Sequence, residues 1–171
     1  MKTITLIFAI VALSLSTVNL GAQNLGIRAG ADFATARAKA LGVSISNNDT
    51  GFYVGLFTNF NASESFKIRP EANYINIDDT DLIQIPVLAS LALAEKVAIL
   101  AGPSFGFFLD KEEGTKSFNF GMEFGLSYDI LENLLIEGRY SLGVTNLADG
   151  NYYDVTALKF SGIMVGLGYQ F

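Results

Sequence analysis

The feature that most constrains this chain is a repeated alternation between apolar residues and polar or small ones. Eight segments show it, each with aliphatic or aromatic side chains at nearly every second position. A period of two residues is typical of a β-strand with two different faces, so the sequence predicts eight strands. The segments are 25–33, 52–60, 66–74, 82–91, 97–107, 118–128, 134–143 and 159–171.

The lengths of these segments indicate a membrane rather than a soluble sheet. Soluble strands average about 5–6 residues, whereas a tilted strand needs about 9–11 residues to cross a bilayer. Hydrophobic residues make up 50% of the chain and charged residues 16%, against about 25% in a typical soluble domain. Beyond the amino terminus there is no apolar run long enough for a spanning helix, so strands are the elements that could cross a membrane.

The amino terminus has the layout of a secretory signal peptide. Lys2 precedes an apolar run at residues 4–15, and small residues lead up to Ala22. The run is shorter than the about 20 residues of a transmembrane helix. We therefore expect a signal peptide at residues 1–22, export of the chain, and one barrel domain at residues 23–171.

The connections between the predicted strands alternate in length. Those at 62–65, 94–96 and 129–133 are short, those at 35–50 and 145–156 are long and polar, and those at 76–81 and 110–116 are intermediate. Outer-membrane barrels have short periplasmic turns and longer extracellular loops. The predicted fold class is all-β, an eight-stranded antiparallel up-and-down transmembrane β-barrel in the outer membrane.

Charged residues fall on the face opposite the apolar one. Facing lipid, a basic side chain would cost about 2–4 kcal/mol at mid-depth, so this face must point into the lumen. A charge in a narrow lumen is costly unless it is paired, and positive and negative residues are equal in number there. We therefore predict a structural lumen ion-pair network, for which the candidates are Arg28, Asp32, Lys67, Arg69, Glu71, Glu123, Glu137 and Arg139.

Three further features of the strands carry expectations. The inward glycines, among them Gly166 and Gly168 of the last strand, should leave room for long polar side chains. Bulges are expected at the prolines, because proline has no backbone N–H to donate to the neighbouring strand. Aromatic residues near the strand ends should form interfacial belts. The prolines are Pro70, Pro86 and Pro103; the aromatics are Phe60, Phe66, Tyr128, Tyr169 and Phe171 at the periplasmic rim, and Phe52, Tyr74, Phe107 and Phe118 at the outer rim.

A soluble β-barrel or sandwich is the alternative that the pattern leaves open. Its apolar face would point inward, and the eight ionisable residues would face water. That arrangement would leave unexplained why both faces of segments 82–91 and 97–107 are apolar or small.

Four motifs, in order, make the chain resemble the PorT-like outer-membrane β-barrel proteins of Bacteroidota. The resemblance covers essentially all of residues 23–171. It implies an eight-stranded barrel in the outer membrane but implies little about the activity of the protein. Gln84 departs from the acidic residue that relatives often carry. The motifs are LGIRAGADF at 25–33, LIQIPVLASL at 82–91, AGPSFGFFL at 101–109 and GLGYQF at 166–171.

The expected function is structural or partner-binding, because side chains fill the interior of an eight-stranded barrel. A protein partner would bind at the extracellular loops. Their acidic residues would form either a cation- or partner-binding rim or a plain solvated edge. The alternative function is a small channel or ligand-carrying barrel. The acidic loop residues are Asp78, Asp79, Asp81, Asp110, Glu112 and Glu113.

An enzyme is the least favoured class. The chain contains no His and no Cys, which excludes a Ser-His-Asp triad and thiol chemistry. No segment has the spacing of a calcium-binding loop, and the net charge of −6 does not indicate nucleic-acid binding. We expect no catalytic residue, cofactor or metal, and a monomer whose surroundings are outer-membrane lipid.

Overall fold

The computed structural model describes residues 25–40, 43–78, 80–109, 116–148 and 155–171. The predicted signal peptide lies outside these ranges, as do residues 110–115 and 149–154 of the predicted loops. The strands are β1 Leu25–Ala40, β2 Val43–Thr58, β3 Phe66–Ile77, β4 Thr80–Ala94, β5 Val97–Phe108, β6 Phe118–Asp129, β7 Leu134–Gly143 and β8 Val155–Gln170.

The eight strands form one closed antiparallel sheet. Each strand pairs with its neighbour in sequence, and β1 also pairs with β8, which closes the ring. The two-residue segment Phe60–Asn61 follows a break at Asn59 and pairs with β3, as β2 does, so we count it as part of β2. The predicted eight-stranded up-and-down barrel is confirmed. Within the described ranges, no helix is long and apolar enough to span a membrane.

Within the predicted segments, burial separates the two faces of the strands as the alternation predicts. Along β1, Ile27 is 46% exposed while its neighbour Arg28 is 3% exposed. Along β7, Tyr140 is 45% exposed and Arg139 is 2% exposed. Most large apolar side chains therefore cover the outside, while the charged ones lie inside together with a smaller apolar cluster that includes Tyr53, Ile75 and Met164. The soluble alternative, which places the same residues the other way round, is wrong.

We call the end of the barrel that carries residues 25 and 171 and the three turns at 62–65, 95–96 and 130–133 the short-turn end. The opposite end is the loop end. The predicted long loop at 35–50 is wrong. Instead, β1 and β2 continue as one paired ladder from Leu25↔Thr58 to Ala40↔Val43. β-branched residues such as Thr35 and Ile45 suit a strand, and the ladder needs no apolar face once it has left the membrane.

The connection at 76–81 is also shorter than predicted. Asn76 pairs with Asp81 and Ile77 with Thr80, so the paired strands continue to Ile77 and resume at Thr80. Asp78 has a positive φ of 52°, a conformation that Asp adopts more readily than most residues and that tight hairpins require.

The prolines do not produce the predicted bulges. Pro70 pairs with Val87, the ladder is interrupted, and Asn73↔Gln84 resumes in the same register. Beside Pro86 the pairing is also interrupted and resumes at Ala89↔Ala101 in the same register. The pairing through Pro103 is continuous. A missing N–H thus removes local hydrogen bonds without shifting the strand. The register shifts lie near strand ends, at 39–40 and 92–94.

Aromatic side chains on the outer face lie at two levels. At the loop end, the rings of Phe52 and Tyr74 are 6.4 Å apart and those of Phe107 and Phe118 are 5.3 Å apart. At the short-turn end, Tyr169 packs edge-on against Phe171 with centroids 5.5 Å apart. Rings at these positions match the two interfacial girdles of a membrane barrel.

Candidate functional site

The centre of the lumen is occupied by ion pairs around Arg139. Its guanidinium donates from Nη1 to Glu71 Oε2 and from Nη2 to Glu71 Oε1, both at 2.7 Å. Nη2 also donates to Glu137 Oε2 at 2.6 Å. The planar guanidinium therefore holds one carboxylate with two hydrogen bonds and a second carboxylate with one, the geometry in which Arg binds carboxylates most strongly.

Two further arginines contact the same carboxylates. Arg28 Nη1 lies 2.5 Å from Glu71 Oε2, and Arg28 Nη2 lies 3.6 Å from Glu137 Oε2. Arg69 Nε lies 2.9 Å from Glu71 Oε1, and Arg69 Nη1 lies 2.5 Å from Glu137 Oε1. Each of these two carboxylates is thus within 4 Å of all three arginines.

Glu123 is the third carboxylate of the network. Its Oε2 lies 3.5 Å from Arg139 Nη1. Counted together, three arginines meet three glutamates, and the side chains of all six are at most 4% exposed. The network is neutral, which is the condition for keeping so many charges out of water.

The network crosses the barrel from wall to wall. Arg69 and Glu71 belong to β3, while Glu137 and Arg139 belong to β7. These strands are four apart in a ring of eight, so they face each other across the lumen. The ion pairs between them therefore bridge opposite walls.

Two aromatic side chains, which the sequence analysis did not single out, cover the arginines. Arg28 Cζ lies 4.5 Å from the centroid of the Tyr53 ring, and Arg69 Cζ lies 3.8 Å from that of Phe57. Both rings belong to inward positions of β2 and are 1% exposed. Guanidinium stacking on an aromatic face adds to the ion pairing. The signal was available, since Tyr53 and Phe57 stand on the same face of β2 as Gly55.

The inward glycines make room for these large groups, although not always for charged ones. A Cβ at Gly125 would lie 2.7 Å from Arg139 Cγ, as the prediction implies. A Cβ at Gly166 would overlap Tyr53 Oη, and one at Gly168 would lie 2.6 Å from Leu135 Cδ1. The glycine face of β8 therefore accommodates an aromatic ring and a leucine, whereas the room for Arg139 is made by Gly125 of β6.

The structure does not place Asp32 and Lys67 in the network, which corrects two of the eight predicted members. Asp32 is inward and buried, but it lies four residues beyond Arg28 toward the loop end. Lys67 lies two residues beyond Arg69 toward the short-turn end, where it lines a cleft with Glu64 and Asp129. Alternation assigns a residue to the lumen but not to a depth in it, and neither of these two side chains forms an ion pair with the six central residues.

The chemistry of this site is electrostatic and structural. Across the described ranges, no three His, Cys, Asp or Glu side chains are grouped so that they could hold a metal ion. The carboxylates of Glu71 and Glu137 are each occupied by arginines, which leaves neither as a free base. What the arrangement can do is hold the barrel walls together and fill the middle of the lumen.

No protein-family model matches the chain, and no curated protein matches it in sequence. Solved structures do match its fold. Neisserial surface protein A has a TM-score of 0.52 at 17% identity, over 86% of this chain and 97% of that one. The outer membrane enzyme PagL has a TM-score of 0.53 at 11% identity, over 82% and 99%. Ail of Yersinia pestis has a TM-score of 0.48 at 19% identity, over 87% and 99%.

These likenesses concern the fold alone, because all three identities are below 20%. The matches to Neisserial surface protein A and PagL span 97% and 99% of those chains, so the agreement covers the whole barrel rather than one hairpin. The chain thus has the fold of the small eight-stranded barrels of the outer membrane.

Proposed function

We propose that this chain is an outer-membrane barrel with a side-chain-filled lumen and a structural or partner-binding role, exercised by its extracellular loops. After export by its signal peptide it would reside as a monomer in the outer membrane, with lipid against its apolar face. The four ordered motifs support a place in the PorT-like group of Bacteroidota. A protein partner would bind at the loop end.

One observation carries this proposal: a neutral network of six buried charged side chains joins opposite walls of the lumen. An ion crossing the barrel would have to separate Arg139 from Glu71 and Glu137, which would leave buried charges unpaired. Tyr53 and Phe57 occupy further space beside the network. These contacts support a closed lumen and leave the loops as the surface available to a partner.

Planar-bilayer conductance tests the closed lumen. The refolded wild-type barrel should give no stable open step. A double variant, Arg139→Ala with Glu71→Ala, should conduct, because it removes the central arginine and the glutamate that accepts two hydrogen bonds from it. The pair is removed together so that the lumen stays neutral. Gly138→Ala, which changes the outer face only, is the matched control and should remain closed. A stable open step in the wild type would overturn the proposal.

The second candidate is a small channel or ligand-carrying barrel. A cavity at the loop end of the lumen, lined by Asp32, favours a ligand over a through-pore, because the network lies between it and the short-turn end. An enzymatic role is not proposed. PagL is an outer membrane enzyme, but this chain has no His for a Ser-His-Asp arrangement.

A further inference from the structure

A cavity of about 130 Å³ lies inside the barrel at the loop end. Its polar lining includes Asp32 from β1, Gln84 from β4 and Asn119 from β6. Its apolar lining includes Phe108 and Phe160, whose rings are 5.5 Å apart. The cavity thus combines oxygen atoms with aromatic walls.

Three oxygens around this cavity are acceptors without a donor. Asp32 Oδ1, Gln84 Oε1 and Asn119 Oδ1 are buried and receive no hydrogen bond from the described residues. Asp32 and Gln84 are each only 6% exposed. Buried acceptors in folded proteins are almost always satisfied by protein groups or by ordered water, so three around one cavity indicate that hydrogen-bond donors, from water or from a ligand, occupy it.

The carboxylate of Asp32 also lacks a counter-charge. No Lys or Arg of the described ranges comes within 4 Å of it, and the nearby network is already neutral, with three arginines and three glutamates. Asp49 and Asp78 line the same cavity toward solvent and add negative charge at its mouth. A cation would be attracted to this end and would neutralise the buried carboxylate.

We propose that this cavity binds a small primary alkylammonium ion. An ammonium group has three N–H donors, which matches the three acceptors without partners, and its single charge matches Asp32. Its hydrocarbon part would pack against Phe108 and Phe160, and aromatic faces also attract cations. This goes beyond the structural or partner-binding role proposed above, which requires no ligand, and it names the ligand class for the second candidate, the ligand-carrying barrel.

A divalent metal ion fits the site less well. Calcium takes 6–8 oxygen ligands at about 2.3–2.6 Å, commonly from several carboxylates. The described residues contain no group of three acidic or other ligating side chains that could hold one. The aromatic walls would also contribute nothing to the coordination of such an ion.

The test is a titration of the refolded full-length barrel in detergent micelles with n-butylammonium chloride. Binding is measured by calorimetry and by shifts of the amide NMR signals. Asp32→Asn removes the charge at constant shape. Asp81→Asn is the matched control, because Asp81 is at the same end but bonded to Tyr74 and Asn76 outside the cavity. Saturable binding that weakens at least tenfold in Asp32→Asn and is unchanged in Asp81→Asn is the expected result.

Parallel titrations with n-butanol, sodium chloride and calcium chloride complete the experiment. The alcohol lacks the charge and should not saturate. If a metal salt saturates the site while n-butylammonium does not, or if Asp32→Asn binds as tightly as the wild type, the proposal is wrong. Should Asp32→Asn fail to fold, the wild-type spectra decide: the side-chain amides of Gln84 and Asn119 must shift with n-butylammonium, and their constancy would refute it.

Discussion

At the scale of single residues, the stability of the lumen depends on Arg139. It is the only described residue that contacts all three glutamates of the network. Arg28 and Arg69 contact Glu71 and Glu137 but not Glu123. The loss of Arg139 would therefore leave Glu123 with no basic partner, so the cost of this substitution should exceed that of losing either other arginine.

We predict that Arg139→Ala destabilises the barrel by about 3–5 kcal/mol, the usual cost of removing one partner of a buried ion pair. The measurement is the midpoint of heat unfolding, followed as the change in gel mobility between folded and unfolded forms. Arg37→Ala is the control, since Arg37 is exposed on the extended hairpin, and its midpoint should match the wild type. An unchanged midpoint in Arg139→Ala would contradict a network that stabilises the fold.

The members of the network could be predicted from the sequence only in part. Alternation places a side chain inside or outside, and it assigned all eight charged residues to the inner face of their strands. It does not give the height at which strands far apart in the chain face each other. Arg69 and Glu137 are 68 residues apart, and their contact depends on how the closed sheet is tilted. Asp32 and Lys67 were therefore included with the central pairs in error.

At the scale of the strands, the alternation predicted the middle of each strand but not where β1 and β2 end. The membrane-crossing middle of each strand was predictable because one of its faces must be apolar. The ends were not, because β1 and β2 continue to Ala40 and Val43 through residues with no apolar alternation. The inward positions of Tyr53 and Phe57 followed from the alternation, but their stacking on Arg28 and Arg69 was not predicted, because alternation does not tell which lumen side chains meet.

The last strand gives the sharpest test of packing between elements. A Cβ at Gly166 would overlap Tyr53 Oη and the carbonyl oxygen of Ala29, whereas a Cβ at Gly138 has no heavy atom within 4 Å. We predict that Gly166→Ala costs about 1–3 kcal/mol through overpacking, while Gly138→Ala leaves the unfolding midpoint unchanged or slightly raised. Equal midpoints for the two variants in urea titrations would show that β8 does not approach β2 as closely as described.

At the scale of the whole molecule, the barrel is inverted relative to a soluble protein. Its exterior carries large apolar side chains such as Leu126 and Leu167, exposed by 56% and 50%, while its interior holds the buried ion pairs beside a smaller apolar cluster. In water this exterior would be a continuous apolar surface far larger than the few hundred Å² that soluble monomers expose. In a bilayer the same surface is covered by acyl chains, so the surroundings that suit this molecule are lipid.

The absence of cysteine from the chain allows a direct test of that orientation. We predict that a bimane label on Leu126→Cys, in vesicles, is quenched by lipids brominated on their acyl chains and protected from iodide in water. The same label on Ser46→Cys, exposed on the extended hairpin, should respond to iodide and not to brominated lipid, because that ladder continues beyond the membrane. Quenching of both labels by iodide alone would mean that the apolar face meets water, and the assignment of the two faces to lipid and lumen would then have to be abandoned.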